Sequence, residues 1–320
     1  MKSYFVKIII PFFIIVFGCA ERELPTDPDI DPGLGGEYTK INGILPDLLT
    51  RVNSPYLVTE DIYIEAGTIL TIEAGTIIYF MEKKAFYIFG GLRAIGNITN
   101  SIIFRAFEHG WDGIHSTAPT DSLLFLFCRI QDVFLPFESQ IKYGAIEITN
   151  ANLIIKNCYF ENNYTQYGGA LSLSNTNSEI MYTVFFYNES VVYGGAILSQ
   201  SSSNRIINNI IVGNFCLNFG GGIVIVDPVY EEIQNNIFYE NFSYLGDPRI
   251  ELVSGNSINI FEQYNFLDTV SQNPLFISDL DFHLQFDSPC KDAGNPDPEF
   301  NDTDGSRNDQ GAYGGPGGNW

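Results

Sequence analysis

The fold is decided by three consecutive segments, which read LIIKNCYFENNYTQYGGAL (153–171), EIMYTVFFYNESVVYGGAI (179–197) and RIINNIIVGNFCLNFGGGI (205–223). Each segment contains a glycine pair near its end. The pairs begin at Gly168, Gly194 and Gly220, in steps of 26 residues. A fixed period in this range is typical of proteins built from stacked repeats.

Within each repeat, apolar residues alternate with polar ones, and Asn and Gly interrupt the pattern. This pattern indicates short strands and turns rather than helices. The sequence therefore predicts an all-β chain, a right-handed parallel β-helix with about 22–27 residues per coil. Each strand then pairs with its equivalent one coil away, at about 4.8 Å. The alternative is a chance similarity among Asn- and Gly-rich loops, which the shared register of several rows opposes.

Two rows of turn residues follow from the repeat. The first is a predicted asparagine ladder of Asn162, Asn188, Asn214 and Asn241. We expect it at a turn, because Asn tolerates left-handed backbone angles and its amide can bond the next coil. The glycines at Gly168, Gly194 and Gly220 are expected at a second turn, where φ is positive or a Cβ atom would clash.

The N-terminus has the features of a targeting segment. Lys2 and Lys7 precede an apolar run at 8–17, and Cys19 follows Gly18. This order resembles the lipobox of bacterial lipoproteins, in which the cysteine becomes the lipidated N-terminus. The resemblance implies a signal peptide at 1–19, lipidation of Cys19 and anchoring to the outer membrane, with the domain on its periplasmic or surface-exposed side. The alternative is an ordinary signal peptide or a signal anchor. The Pro-, Gly- and Asp-rich stretch at 20–36 is predicted to be a flexible acidic tether.

Further motifs extend the repeat towards both ends. The segments IYIEAGT (62–68) and LTIEAGT (70–76) echo one another, and GGLRAIG follows at 90–96. These motifs resemble right-handed β-helix surface proteins of the pectate-lyase-like superfamily. The resemblance covers about residues 56–270, and the solenoid is predicted over 37–272. Residues 38–57 are expected to cover its open end, because a solenoid must cap its exposed strand edge. The segment 273–320 resembles the C-terminal segment that closes such proteins and is expected to pack back on the last coil.

Charge restricts the partners. The chain has a formal net charge of −22. Without Lys2 and Lys7 it retains 14 basic and 38 acidic residues, a net charge of −24. A strongly acidic protein is unsuited to bind nucleic acid or anionic lipid headgroups through charge. It is equally unsuited to polyuronates, unless calcium bridges the two.

Four cysteines follow Cys19, at positions 128, 158, 216 and 290. Cys128 and Cys158 are predicted to stack on consecutive coils, within the Cα distance of a disulfide, and an envelope location permits a bridge. Alignment of Cys158 with Val184 and Ile210 instead favours free buried thiols. The sequence leaves both alternatives open.

No cluster of catalytic type stands out in the repeats. Carbohydrate-active β-helix enzymes display carboxylates, Arg or Lys on one outer face. The weak catalytic candidates here are Asp112 and His115, which an irregular loop at 107–150 could bring near Asp121 and Lys142. His109 and His115 have no convincing partners for zinc.

Two other features point to ligands. Asp302, Asp304 and Asp309 surround a turn at Gly305 and offer the hard oxygen ligands that calcium prefers. The alternative is a turn whose Asp side chains bond their own backbone. A predicted outer stripe for sugar rings consists of Tyr159, Tyr164, Tyr182, Tyr187, Tyr239 and Tyr244. The alternative is that Tyr is simply favoured on exposed strands.

These observations support two classes of function. The first is a lipid-anchored, non-catalytic cell-envelope protein with an adhesion, glycan-binding or structural role, and no nucleic-acid partner. The second is a polysaccharide lyase or glycoside hydrolase.

Overall fold

The computed structural model describes residues 37–136, 143–268 and 272–320. Residues 1–36, which include Cys19 and the predicted tether, lie outside this description. In the described ranges Tyr38–Trp320 belong to one compact unit, built of short strands that pair in parallel with strands one coil away. The predicted all-β parallel solenoid is confirmed. No helix in the described part of the chain is long and apolar enough to cross a membrane.

The strands form three sheets. The nine-stranded sheet contains β2 (Leu48–Leu49), β4 (Ile69–Ile72), β7 (Gly91–Ile95), β10 (Leu123–Leu126), β13 (Asn152–Lys156), β17 (Asn177–Met181), β21 (Ser203–Ile207), β25 (Tyr230–Gln234) and β29 (Ile260–Gln263). The four-stranded sheet contains β15 (Tyr164–Tyr167), β19 (Glu189–Tyr193), β23 (Phe215–Phe219) and β27 (Phe242–Leu245).

The seventeen-stranded sheet has two faces that share β1 (Thr39–Ile44) and β3 (Tyr56–Ile64). We call the first the flank face: β5 (Ile77–Phe80), β8 (Ile102–Ala106), β11 (Cys128–Gln131), β14 (Tyr159–Glu161), β18 (Val184–Phe186), β22 (Ile210–Val212), β26 (Ile237–Tyr239) and β30 (Phe266–Leu267). The front face contains β6 (Phe86–Ile88), β9 (Ile114–Thr117), β12 (Ile146–Thr149), β16 (Leu171–Ser174), β20 (Ile197–Gln200), β24 (Ile223–Val226) and β28 (Ile250–Ser254). Short 3-10 helices occur at Arg51–Asn53, Ser257–Asn259 and Pro298–Phe300.

The length of a coil varies more than the repeat predicted. Strand register makes Leu70, Leu92, Leu123 and Leu153 equivalent, so the coil that begins at Leu70 is much shorter than the two that follow it. From Leu153 onwards the steps to the next equivalent residues, Ser178 and Asn204, become short and nearly equal. The irregular sequence before residue 152 therefore belongs to coils of the same solenoid, whose extra residues lie in loops between paired strands.

The core lies inside the coils, because every second side chain of a strand points inward. Equivalent inward positions on the flank face stack one above another: Phe104, Ile130, Phe160, Phe185, Ile211 and Phe238, all fully buried. The rings of Phe160 and Phe185 stack with centroids 5.2 Å apart. Burying such a side chain contributes about 1.5–3 kcal/mol relative to leaving it exposed, so this row is a main source of stability.

An asparagine ladder follows one inner corner of the solenoid. The Nδ2 atom of Asn188 donates to Oδ1 of Asn214 at 3.0 Å, and Asn214 donates in the same way to Asn241 at 2.9 Å. The first rung is Asn163, which donates to Asn188 at 2.8 Å. The prediction of Asn162 at this rung was wrong. The coil there is one residue shorter than the next, so Asn162 occupies the preceding position.

The backbone angles of that corner also differ from the prediction. The left-handed residue is the one before each ladder asparagine, and it is Asn162, Tyr187, Gly213 or Glu240, with φ between 49° and 65°. The ladder asparagines themselves point into the corner. There they satisfy main-chain groups that would otherwise be buried without partners.

A second ladder was not recognised in the sequence. It follows the next inner corner through Thr183, Asn209, Asn236 and Asn265. Nδ2 of Asn209 donates to Oδ1 of Asn236 at 3.0 Å, and Asn236 donates to Asn265 at the same distance. The Asn-Asn pairs that begin at Asn208 and Asn235 are the sequence signal for this ladder.

The glycine pairs lie at the turn between the four-stranded sheet and the front face. Gly168, Gly194 and Gly220 have φ of 62°, 65° and 68°, values that favour glycine. The second residue of a pair is restricted to glycine for a steric reason. A Cβ atom on Gly195 would lie 2.2 Å from the carbonyl oxygen of Gly221 in the next coil. Both alternatives in the prediction, positive φ and a clash, therefore occur, at successive residues.

The C-terminal segment contacts the last coil and then continues along the flank face. Gln310 donates to the carbonyl oxygen of Tyr264 at 2.7 Å. Further back, Asn157 donates to the carbonyl oxygen of Gly317 at 2.9 Å, and the rings of Phe127 and Trp320 lie 6.1 Å apart. A second apolar core of Val184, Phe186, Ile210, Val212, Ile237, Phe266, Phe282, Cys290 and Ala312 fills the space beneath. The segment therefore covers the side of several coils, which is more than the cap that was predicted.

Candidate functional site

His115 is held in a fixed orientation on the front face. Its Nδ1 atom lies 2.9 Å from Oε2 of Glu147, and its Nε2 atom lies 2.7 Å from the main-chain carbonyl oxygen of Asp112. His115 and Glu147 occupy equivalent positions on β9 and β12. The sequence pointed to His115 and Asp112 but not to Glu147, because His115 and Glu147 are far apart in the chain and only the strand register joins them.

These contacts limit the chemistry of His115. A carbonyl oxygen only accepts hydrogen bonds, and an ionised carboxylate also only accepts. Both ring nitrogens of His115 are therefore engaged by oxygen atoms of the protein. The Asp112 carbonyl therefore occupies the nitrogen that a general base would need.

His115 and Glu147 belong to a row of equivalent positions on the front face, and two tyrosines extend this row towards the N-terminus. Tyr63 and Tyr87 occupy the equivalent positions in the preceding coils, with ring centroids 5.4 Å apart, and the rings of Tyr87 and His115 lie 5.5 Å apart. Burial, followed by the nearby carboxylates of Asp61 and Asp112, raises the pKa of Tyr87. Tyr87 therefore keeps its proton and can donate a hydrogen bond, but it is poorly suited to act as a base.

The other residues considered for catalysis lie elsewhere. Asp121 pairs with Arg93 of the nine-stranded sheet at 3.2 Å, whereas His115 lies on the front face. The main-chain N–H of Ser122, followed by Arg93, lowers the pKa of Asp121. Lys142 lies outside the described residues, and His109 is exposed. Among the residues that the structure describes, no group of three or more His, Cys, Asp or Glu is placed to hold a metal ion.

A polar groove of about 630 Å³ lies at the corner between the front face and the nine-stranded sheet. It is lined by residues 119–122, 150–152 and 175–177, from three successive coils. Asp121 is the only ionisable residue among these described lining residues, and it is paired with Arg93. The groove therefore offers hydrogen-bonding groups without a free acid or base.

The three aspartates predicted to bind calcium accept hydrogen bonds from their own segment. Asp302 accepts from the main-chain N–H of Asp309 at 3.1 Å, and Asp304 accepts from that of Ser306 at 2.9 Å. Asp309 accepts from the main-chain N–H of Asp292 at 2.7 Å. This geometry matches the alternative of a backbone-bonded turn, and calcium binding there stays a prediction.

The four described cysteines are free and buried. The main-chain N–H of Cys128 lies 3.3 Å from Sγ of Cys158, so the two residues do stack on consecutive coils, without a bridge. Burial, then the neighbouring Cys158 thiol, raises the pKa of Cys128 well above its ordinary value, which keeps it a thiol. Because Tyr159 pairs with Val184, Cys158 is equivalent to Thr183, and its predicted alignment with Val184 was wrong.

The six tyrosines predicted to form one stripe are divided among different surfaces. Three of them contact the C-terminal segment. Tyr159 contacts Tyr313, and Tyr239 contacts Phe276. Tyr182 packs against the same segment at Gly317. Tyr187 packs on Phe186, while Tyr164 and Tyr244 lie on the four-stranded sheet. The prediction of a single stripe was wrong, because these residues lie on different faces or, for Tyr182 and Tyr187, at turns between strands.

The outer side of the four-stranded sheet carries two rows of aromatic residues, which together we call the aromatic face. Its first row consists of Phe134, Tyr164, Phe215 and Phe242. Its second row consists of Tyr143, Tyr167, Tyr193 and Phe219. Neighbouring rings in the second row have centroids 4.9 to 6.0 Å apart, about one coil. Burial, followed by Tyr167 and Glu147, raises the pKa of Tyr143, so the second row begins near the His115 pair.

Comparison with known proteins identifies the fold. The sequence profile of a family described as "Right handed beta helix region" matches residues 107–266. The chain is 42% identical over 72 residues to "Protein bark beetle" of Drosophila melanogaster. That match covers 22% of this chain and 2% of that much longer protein. The crystal structure of pectate lyase Pel9A is similar over 79% of this chain and 87% of that one, with 10% identity and a TM-score of 0.24.

Proposed function

Because the chain belongs to the family of right-handed β-helix regions and its coils expose long outer faces, we propose that it is a lipid-anchored protein of the bacterial cell envelope that binds glycans without cleaving them. Adhesion or a structural role on the envelope would use the same binding surface. The outer membrane, on its periplasmic or surface-exposed side, is the proposed location.

The observation that carries this proposal is the aromatic face. Phe242 and Tyr244 are 50% and 59% exposed, and the ring of Phe215 in the preceding coil contacts both of them. Contiguous exposed apolar surface of this kind marks interaction sites. Aromatic rings offer a negative π-face, against which the weakly positive C–H groups of a sugar ring can lie.

A second candidate function is cleavage of a polysaccharide by a lyase or hydrolase reaction. The observation in its favour is the contact of His115 with Glu147, next to Tyr87. Both ring nitrogens of His115 face acceptors, which opposes a role as general base. We therefore place non-catalytic binding first.

A glycan panel separates the two functions. The full chain, purified in detergent, is incubated with neutral and uronate-containing polysaccharides, with and without calcium, and both binding and new reducing or unsaturated ends are measured. We expect binding without new ends. Cleavage that His115→Ala abolishes and His283→Ala retains would make the protein an enzyme, since His283 pairs with Asp281 on the C-terminal segment.

Lipid anchoring is tested separately at Cys19. Because a thioether-linked lipid requires the cysteine sulfur, Cys19→Ser is expected to shift the protein from the membrane fraction to the soluble fraction. Cys290→Ser serves as the matched control, since Cys290 is buried beneath the C-terminal segment. Equal membrane partitioning of Cys19→Ser and the wild type would rule out the lipid anchor.

A further inference from the structure

We propose that the aromatic face binds an uncharged polysaccharide lying along the axis of the solenoid, and that Glu189 makes this face reject anionic polymers. This inference rests on the proposed glycan binding and specifies its site and ligand class. Three observations carry it: the direction of the ring rows, their exposure, and the charges of the four strands.

The rows fix the direction of the ligand. Equivalent residues on successive strands lie one coil apart, so each row runs along the axis. In the first row, the rings of Phe134 and Tyr164 have centroids 5.4 Å apart, and those of Phe215 and Phe242 are 5.7 Å apart and nearly parallel, at 2°. A linear polymer that follows the axis can therefore meet successive rings with successive sugar units, whereas one lying across the coils meets fewer.

The composition of the face selects the chemistry of the ligand. The second row offers three tyrosines, each with an apolar ring and a hydroxyl group, which suits partners that are both apolar and hydrogen-bonding. Sugar rings have this dual character. Nucleic-acid bases stack on similar platforms, but their phosphates would meet a chain of net charge −22 without basic residues on β15, β19, β23 or β27.

Glu189 interrupts the first row between Tyr164 and Phe215. It is the only charged residue in the four strands and has an exposed side chain. No basic residue on these strands neutralises it, so an anionic polymer laid on the row would bring like charges together. An uncharged polymer avoids this repulsion, and its hydroxyl groups can donate hydrogen bonds to the carboxylate of Glu189.

Affinity electrophoresis of the full chain in detergent tests the proposal, with hydroxyethyl cellulose, galactomannan and dextran as neutral probes and polygalacturonate as the acidic probe. We expect at least one neutral probe to retard the wild type, and polygalacturonate to leave it unretarded. Combined Phe242→Ala and Tyr244→Ala should weaken neutral binding by about tenfold or more. Both side chains are at least half exposed, so the fold should tolerate the change. The control is Tyr230→Ala, whose side chain is 46% exposed on the nine-stranded sheet.

Glu189→Gln completes the test. It should retain binding to the neutral probe and gain measurable retardation by polygalacturonate. Unchanged neutral binding in the Phe242/Tyr244 double variant would overturn the assigned face, while glycan binding itself would stand. Retardation of the wild type by polygalacturonate alone would overturn the ligand class. A wild type that binds no probe here and no glycan in the panel would overturn both proposals. Self-association that sedimentation detects and the double variant loses would show that the face contacts a second copy instead.

Discussion

Replacing Asn214 with Leu is expected to destabilise the protein by about 4 kcal/mol, because two buried main-chain groups lose their partners. Oδ1 of Asn214 accepts from the main-chain N–H of Asn188 at 2.9 Å, and its Nδ2 donates to the carbonyl oxygen of Phe185 at 3.0 Å. Leucine has a similar size but can make neither bond. An unsatisfied buried group costs about 1–3 kcal/mol, and two are created together.

The loss is measured by calorimetry as a fall in Tm of about 10 °C. Asn152→Leu is the matched control, since Asn152 begins β13 with an exposed side chain. Its Tm should change little, because exposed positions away from special features usually tolerate substitution within about 0.5 kcal/mol. Equal Tm values for the two variants would show that the ladder at Asn214 does not contribute as the contacts indicate.

Replacing Glu231 with Gln is expected to stabilise the protein at high pH. Glu231 is fully buried inside the solenoid, where its Oε1 atom accepts from Oγ of Ser199 at 2.5 Å and from Nδ2 of Asn204 at 3.0 Å. Its Oε2 atom has no hydrogen-bond partner in the described part of the chain. Burial raises the pKa of Glu231 from 4.5 to about 8, although the bonds from Ser199 and Asn204 oppose this shift.

The sign of the effect follows from proton binding. Below pH 4.5 the carboxyl group is protonated in both the folded and the unfolded chain, so it does not change the free energy of unfolding there. Between about pH 4.5 and 8 the unfolded chain releases the proton while the folded chain keeps it, so the free energy of unfolding falls as pH rises. The loss approaches about 5 kcal/mol above pH 8, at about 1.4 kcal/mol per pH unit. Glutamine carries no titratable proton and removes this loss.

Unfolding of both proteins is compared at about pH 4 and about pH 8.5, on either side of this window. Glu231→Gln should match the wild type at the lower pH and gain about 4 kcal/mol at the higher one. The matched control is Glu232→Gln, on the outer side of the same strand, where the carboxylate pairs with Arg205 at 2.8 Å. Breaking this partly buried ion pair should cost stability rather than add it, so this variant should show no gain at high pH. A pH-independent difference between Glu231→Gln and the wild type would contradict the raised pKa of Glu231.

The sequence by itself determined the fold of this protein and much of its repeat. Parallel stacking brings equivalent residues of successive coils together, so the constant spacing of the glycine pairs is enough to predict both the solenoid and the turn glycines such as Gly194. Three of the four predicted ladder residues, Asn188, Asn214 and Asn241, are in the ladder, because the spacing between them equals the length of the coils that carry them. The ladder failed only at Asn162, where one coil is a residue shorter than the next.

Only the tertiary structure decided which side chains share a surface. His115 meets Glu147, and Glu189 lies between Tyr164 and Phe215, through strand register across coils of unequal length. A shift of one residue moves a side chain from one side of a strand to the other. Coil lengths that vary therefore hide these neighbours from a fixed period. The path of the C-terminal segment was hidden for a related reason: its contacts along the flank face join residues that are very distant in the chain, which no local pattern records.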